Sequence, residues 1–347
     1  MKYYPKVNYL IPTFNRSDEL IKAIEGALSQ DYNKLEVIVS DDASNDKTQK
    51  VVEKYLNNKR FKYYRNQKNL GPYKNFKKLI YEYNNSDWFI LQSDDDYLTD
   101  KSYISKCISL LIKYENYDIS LIGANLEVVY ENSNIKINTQ RHYPEIKDGK
   151  WYFLNFAKPH YNFCFPFVLQ NTNIVKKLGC WTSEFPDEGS LVGLMLFLNG
   201  HVIFLEDTVG VFKVYDVSTP SFMTNFNSNI FIIDLMKNLS EIDKIYNYCL
   251  EMRIFPHKVI EKWRKKMILK YVDQNVFYLI KYNEKNKALL LNKLLLLKKE
   301  IKTKYPFVNF KEIKIKIFIL LAMDKSLFLK KLIKKLYILF KLYKLNI

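Results

Sequence analysis

Three adjacent carboxylates, Asp94, Asp95 and Asp96, close the apolar run Trp88-Phe89-Ile90-Leu91. Like charges side by side repel, and each raises the cost of ionising its neighbours. A cation or a helix N-terminus makes such a cluster tolerable. Hard divalent cations want oxygen ligands, and Mg²⁺ is often shared between one or two carboxylates and substrate phosphates. A second acidic pair, Asp41-Asp42, ends the apolar stretch LEVIVS. A carboxylate placed there can accept hydrogen bonds from ribose hydroxyls or a base N–H. Pro12-Thr13-Phe14 ends a third apolar stretch, VNYLI.

The elements that must position these residues alternate over the first hundred positions. Strands are expected at 7–12, 35–42, 61–66 and 87–96. Between them helices are expected over TFNRSDELIKAIEGALSQ, SNDKTQKVVEKYL and 75–84, the first capped by Ser17 with Asp18 and Glu19 in its first turn. This β-α-β-α-β-α-β order predicts an α/β fold with a mostly parallel sheet and helices on its faces. Ligands of such sheets bind outside the carboxyl ends of the strands, where all three oddities sit. Further on, 102–114 reads as a helix, 118–131 as one or two strands, 164–179 as a strand then a helix, and 200–215 as two strands. From about residue 222 the pattern is helical to the end.

Plainer uses exist for each feature. Asp41-Asp42 could cap a helix, and Asp94–Asp96 could cap the helix near residue 101. Asn69-Leu70-Gly71-Pro72 has the composition of an ordinary turn. No G-x-G-x-x-G and no G-x-x-x-x-G-K-[ST] is present, which argues against a dinucleotide fold and a P-loop. The four cysteines form no CxxC pair. With no secretory signal at the start, they are expected to be reduced, in a cytosolic compartment.

Net charge is +17 and unevenly placed. Residues 1–256 carry 30 Lys+Arg against 31 Asp+Glu, whereas residues 257–347 carry 24 against 6. In SLFLKKLIKKLYILFKLYK, residues 326–344, Leu329, Leu332, Ile333, Leu336, Leu339, Phe340 and Tyr343 recur at helical spacing with lysines between. A basic amphipathic helix of this kind can lie on an anionic bilayer surface. Packing on its own domain and an oligomer contact are the alternatives. No nucleic-acid partner is expected, because no RNA-binding signature accompanies the lysines.

IPTFNR (11–16), VIVSDDASND (37–46), NLGPYKN (69–75) and QSDDD (92–96), in this order and spacing, resemble the family 2 glycosyltransferases of the GT-A fold. The resemblance runs from about residue 5 to 215. It implies a GT-A domain over 1–220, followed by a helical, basic region over 221–347. It also implies transfer of a sugar from a nucleotide-diphosphate donor with Mg²⁺ or Mn²⁺. By that resemblance Pro12, Thr13 and Phe14, with Asn15 beside them, line the base pocket. Asp42 bonds the nucleobase next to Asp41, Asn69 and Gly71 lie near the nucleotide, and Lys74 faces the diphosphate. Asp94 meets ribose or metal, Asp95 is the main metal ligand, and Asp96 completes an Asp-x-Asp with Asp94. Gln92 stands where family members often carry the first Asp of D-x-D-D.

Inverting transfer needs a general base to take the acceptor hydroxyl proton. The family draws it from an acidic pair opening a helix, which Asp187-Glu188 matches in FPDEGSLVGLMLFLNG (185–200). Lys213 and Tyr215 replace the family's Arg-x-His, and Lys213 can still neutralise phosphate as a point charge. The expected protein is an inverting glycosyltransferase, cytoplasmic and peripheral on the inner membrane face. Its acceptor would be a lipid-linked or membrane-bound glycan such as a lipooligosaccharide or capsule. The alternatives are a non-catalytic carbohydrate- or membrane-binding protein on the same scaffold and a nucleotidyltransferase.

Overall fold

The computed structural model describes residues 4–131, 135–158, 166–182, 188–215, 230–283 and 287–309. The described residues divide into two compact units, 4–156 with 166–214, and 157–158 with 215–309.

The first unit is built on β1 (Val7–Thr13), β2 (Leu35–Asp41), β3 (Phe61–Arg65) and β4 (Trp88–Leu91), hydrogen-bonded in the order β3-β2-β1-β4 and all parallel. Every residue of β1 is buried, which is why the strand reads as a continuous apolar run rather than an alternating one. α1 (Ser17–Leu28) covers this sheet with Leu20, Ala23, Ile24 and Ala27. Full burial of Leu20 and Ile24 contributes roughly 1.5–3 kcal/mol each. A Cβ on Gly26 would stand 2.8 Å from the Leu98 carbonyl. The helix therefore approaches the strand that follows the acid triplet as closely as a glycine allows. α2 (Thr48–Val52) and α3 (Pro72–Lys78) complete the alternation.

Beyond β4 the sheet turns mixed. β5 (Tyr97–Leu98), α4 (Tyr103–Lys113), β6 (Ile119–Tyr130), β7 (Ile135–Asn138) and β8 (Ile146–Asp148) are followed by α5 (Gly149–Phe156) and β9 (Leu169–Asn171). α6 (Thr172–Lys177), α7 (Glu188–Leu198) and β10 (His201–Val214) end the unit. The order continues β4-β9-β6-β10-β5, with β6 and β10 parallel and β9 antiparallel to both its neighbours. Residues 200–215 form one strand, not two. Register shifts between Leu205 and Thr208 and between Thr208 and Val211 bulge the ladder, so Glu206 and Asp207 stay exposed without a break in pairing. The architecture is the GT-A fold, with helices also in the C-terminal region.

The second unit holds α8 (Ile230–Glu251), α9 (His257–Asn283) and α10 (Lys287–Lys304). Asp243 pins it, accepting from Arg264 Nε at 2.7 Å and from the Tyr305 hydroxyl at 2.8 Å. Burial, then this bond, pushes the Tyr305 phenol above its ordinary value. Among the described residues no helix is long and apolar enough to cross a membrane. The basic stretch 326–344 lies outside them.

Candidate active site

The carboxyl ends of β1, β2 and β4 meet at one edge of the parallel sheet, and backbone bonds lace them together. Asp42 N donates to Thr13 O at 2.9 Å and Asn66 N to Asp41 O at 2.8 Å. Asn15 and Ala43 both adopt positive φ, 54° and 65°. Their loops are joined where Asn15 N donates to Ser44 Oγ and Asn45 N to Asn15 Oδ1, at 2.9 and 2.8 Å. Phe14 stays 42% exposed beside them, and Pro12 is buried in β1.

Asp41 and Asp42 are turned into the protein. Asp41 is fully buried; it accepts from Ser44 N at 2.8 Å and from the Tyr63 hydroxyl at 2.6 Å, with Arg65 Nε at 3.4 Å. Asp42 accepts from Asn66 Nδ2 and Leu70 N, both at 2.9 Å, and from Gly71 N at 2.8 Å. A carboxylate offers about four acceptor positions, so most of Asp42 is spent on gripping the 69–71 loop. Gly71 has φ 84°, a left-handed value that favours glycine, and its N–H also meets Asn69 Oδ1 at 2.9 Å. Asn69 and Lys74 are exposed on either side.

The acid triplet is divided. Asp94 is buried; its Oδ2 accepts from Thr13 Oγ at 2.7 Å. Arg16 pairs with Asp95 Oδ2 and stands 3.8 Å from Asp94 Oδ1. Burial dominates the Asp94 carboxyl and pushes it up to about 7, against the Thr13 bond and the Arg16 charge, which lower it. Asp96 points the other way. It is 2% exposed, with Oδ2 accepting from Gln92 Nε2 at 2.6 Å and Oδ1 from Lys213 N at 2.8 Å. Gln92 Oε1 in turn accepts from Phe167 N at 3.0 Å.

Asp96 is thus turned away from Asp94 and Asp95, with which the sequence grouped it. Among the described residues no three acidic, His or Cys side chains converge on a metal position. Asp96 is needed inside to satisfy an amide and a backbone N–H. Asp94 and Asp95 remain a fitting pair, because one guanidinium already reaches an oxygen of each and so marks where positive charge is accepted. Two carboxylates suffice where substrate phosphates complete the shell.

The remaining expected residues are placed as follows. Lys213 sends its ammonium to Glu131 Oε1, 2.8 Å away, and contributes its backbone N–H to Asp96. Glu188 opens α7, and Asp187 lies outside the described residues. Arg16 and Asn66 are site residues that the sequence analysis did not single out. Arg16 lies inside the quoted IPTFNR, so its position was visible although its partner was not.

The family described as Glycosyl transferase family 2 matches residues 9–172. These residues, just under half of the chain, are what is similar to glycosyltransferase family 2. They hold every strand end just described, whereas Asp187, Glu188 and Lys213 lie beyond them. A GalNAc(5)-diNAcBac-PP-undecaprenol beta-1,3-glucosyltransferase of Campylobacter jejuni is 38% identical over 131 residues, 37% of this chain and 40% of that relative. The chain thus spans about two fifths of the length of that family 2 relative. The crystal structure of S. aureus TarS 1-349 in complex with UDP-GlcNAc superposes with a TM-score of 0.54 at 17% identity, over 84% of this chain and 80% of that one. A mannosyltransferase from Pyrobaculum calidifontis in complex with GDP-Man and Mn2+ gives 0.51 at 14% identity, over 93% and 89%. At such identities these two structures establish the fold alone.

Proposed function

We propose that this protein is an inverting glycosyltransferase that moves a sugar from a nucleotide-diphosphate donor, of UDP type, to a hydroxyl of a membrane-associated glycan. One observation carries the reading: Asp94 and Asp95, just after β4, lie side by side at the ligand edge of the sheet, with one guanidinium reaching an oxygen of each. Carboxylates so arranged invite a divalent cation, Mg²⁺ or Mn²⁺, which when bound offsets charge on a diphosphate. Asp95 and the outward oxygen of Asp94 would hold it. Thr13 fixes the Asp94 carboxyl through its hydroxyl. Pro12, Phe14 and Asn15 form the floor for a base, and the Asp42-clamped loop with Asn69 and Gly71 walls the nucleotide side. Lys74, exposed at the start of α3, is in place to meet the diphosphate.

Asp187 or Glu188 serves as the general base, taking the proton of the acceptor hydroxyl as its oxygen attacks the anomeric carbon and the bond from that carbon to the departing nucleoside diphosphate breaks. Residues 1–220 form the catalytic domain. The basic region 221–347 attaches the enzyme to the inner face of the cytoplasmic membrane, where lipid-linked oligosaccharide or capsule precursors are presented. The relative that acts on an undecaprenol-linked glycan supports that acceptor class, and the UDP-GlcNAc and Mn2+ complexes of like fold support the donor and the cation.

Calorimetry of the full chain with UDP and Mn²⁺ tests the reading. Metal-dependent binding that disappears in Asp95→Ala is the expected result. A wild-type protein that shows no metal-dependent nucleotide binding would leave a non-catalytic scaffold, and the proposal would fall. Flotation with anionic liposomes, with and without residues 311–347, checks the membrane attachment; equal flotation of both forms would remove it.

A further inference from the structure

We propose that a cavity beside Arg141 binds an oxyanion, a carboxylate or phosphate group carried by the acceptor. The cavity measures about 330 Å³ and is lined by Gln140, Arg141, His142 and Tyr143. Arg141 is only 4% exposed, and its Nη1 and Nη2 are both buried without a hydrogen-bond partner. A guanidinium cannot shed its charge at any ordinary pH. Burying a charge unpaired is among the costliest things a fold can do.

Four of the five other arginines among the described residues have partners for their guanidinium, and the fifth, Arg253, is exposed. Arg16 pairs with Asp95, Arg65 with Asp41, and Arg264 with Asp243. Arg60 spends its guanidinium on the carbonyls of Leu28 and Gln30. Arg141 breaks the pattern, whereas its neighbour His142 has Glu206 Oε1 at 3.2 Å from Nδ1.

Nor is Arg141 there by slack packing. Its N donates to Asn125 Oδ1 at 2.8 Å, and its O accepts from Asn125 Nδ2 at 3.0 Å. Asn125 lies on β6, so the backbone that carries the guanidinium is bolted to the sheet. Tyr143 is held edge-on against Phe204, ring centroids 4.8 Å apart, and gives the cavity a rigid wall. A fixed fork of unpaired donors in a small cavity matches the two oxygens of a carboxylate or phosphate. The volume is at the low end for ligand pockets, enough for one charged sugar residue or a phosphate group and not for a nucleotide.

The strand register says which substrate would bring the anion. Asn125 pairs with Thr208 on β10, and Val211, three residues further on, pairs with Tyr97, the neighbour of Asp96. The cavity therefore belongs to the β6–β10 side of the acid turn, away from β1–β3, where the nucleotide is placed. That it is the acceptor that occupies it rests on the transferase reading; that an anion binds there does not.

The test is calorimetry on the full chain in a buffer free of other oxyanions. Glucuronate probes for a carboxylate and inorganic phosphate for a phosphate. One of the two is expected to bind at a single site, and Arg141→Met is expected to weaken it at least tenfold. Arg141→Lys keeps the charge but loses the fork; it is expected to weaken the same anion by several-fold, and it stands in should Arg141→Met not fold. Anion binding of wild-type strength in either variant, or no binding of either anion by the wild type, overturns the proposal. UDP with Mn²⁺ is titrated separately into the same proteins. Retained nucleotide binding with no anion site refutes this inference alone, and an anion site with no nucleotide binding refutes the transferase reading alone.

Discussion

Two acidic clusters end two strands of the same sheet, and the fold treats them in opposite ways. Asp41 and Asp42, at the end of β2, are surrounded by donors from Ser44, Tyr63, Asn66, Leu70 and Gly71. Asp94 and Asp95, after β4, lean on one partly exposed arginine and one threonine. The first cluster is architecture: it holds the loops around the nucleotide side in place. The second is held mainly by one guanidinium that reaches both carboxylates, and it is the cluster to which the proposed function assigns the cation. A run of acids after a buried strand is thus ambiguous until the donors around it are known.

The largest effect that separates the two clusters concerns Asp95. Asp95→Ala should reduce sugar transfer by about 100-fold or more, since a bound cation contributes several kcal/mol to transition-state charge stabilisation. Its thermal midpoint should move little, because a partly exposed ion pair contributes about 1 kcal/mol or less. Turnover with a UDP-sugar panel, measured beside thermal unfolding, checks both halves. A large loss of stability with unchanged turnover would reverse the roles given to the clusters.

Asp42→Ala is the mirror experiment. It takes the acceptor from Leu70 N, and leaves Asn66 Nδ2 only Asn75 Oδ1 and Gly71 N only Asn69 Oδ1. A buried donor left unsatisfied costs roughly 1–3 kcal/mol, and the exposed loop can recover part of that from water. A loss of about 2 kcal/mol in urea unfolding is expected, above that for Asp95→Ala. A loss under about 1 kcal/mol would show that the loop does not depend on the clamp.

Arg16 supplies a smaller and opposite effect. Its guanidinium occupies the position that a cation between Asp94 and Asp95 would need, so it competes with one. Arg16→Gln should raise Mn²⁺ affinity in the absence of nucleotide by about tenfold, equivalent to ~1.4 kcal/mol. Weaker Mn²⁺ binding in that variant would mean that Arg16 arranges the carboxylates rather than blocking them.

The parallel half of the sheet was legible because its strands are buried on both faces and interrupted by amphipathic helices. The positions of Thr13, Asp94 and Asp95 at strand ends were legible for the same reason: a polar residue after a buried strand is placed at that edge of the sheet by topology alone. What depended on tertiary pairing was not. Glu206-Asp207 breaks the apolar pattern of β10, so residues 200–215 read as two strands, whereas a bulge lets one strand carry both acids outward. Asp96 reads as a third ligand until Gln92 and the Lys213 amide claim its oxygens. Arg16 carries no periodic signal, and its carboxylate partner is 79 residues away. The helix expected over 44–56 shrinks to Thr48–Val52 followed by a 3₁₀ turn at Glu53–Tyr55, where Asp46, just before the Lys47 N-cap position, accepts from the amide of the first helical residue, Thr48.

That cap gives the smallest prediction and the one that tests the satisfied class where it meets water. Asp46 Oδ1 accepts from Thr48 N and Oγ at 2.9 and 2.6 Å, and Oδ2 from Ser17 N at 3.0 Å, so one exposed carboxylate holds the starts of both α2 and α1. Desolvation raises its carboxyl, but the bonds from Thr48 and Ser17 outweigh it and leave the group below the ordinary carboxylate value. A lowered carboxylate contributes stability that is present above the unfolded-state value, near pH 4, and lost as pH falls through the folded-state value. Asp46→Ala should therefore cost about 1 kcal/mol at pH 7, as for other N-cap removals. The gap between variant and wild type should narrow as the pH is taken well below about 4. Urea midpoints of the two proteins at pH 7 and in acid measure it. A gap that persisted in acid would mean that the protonated carboxyl caps both helices as well as the carboxylate does, and that charge contributes nothing to the way this fold satisfies its acids.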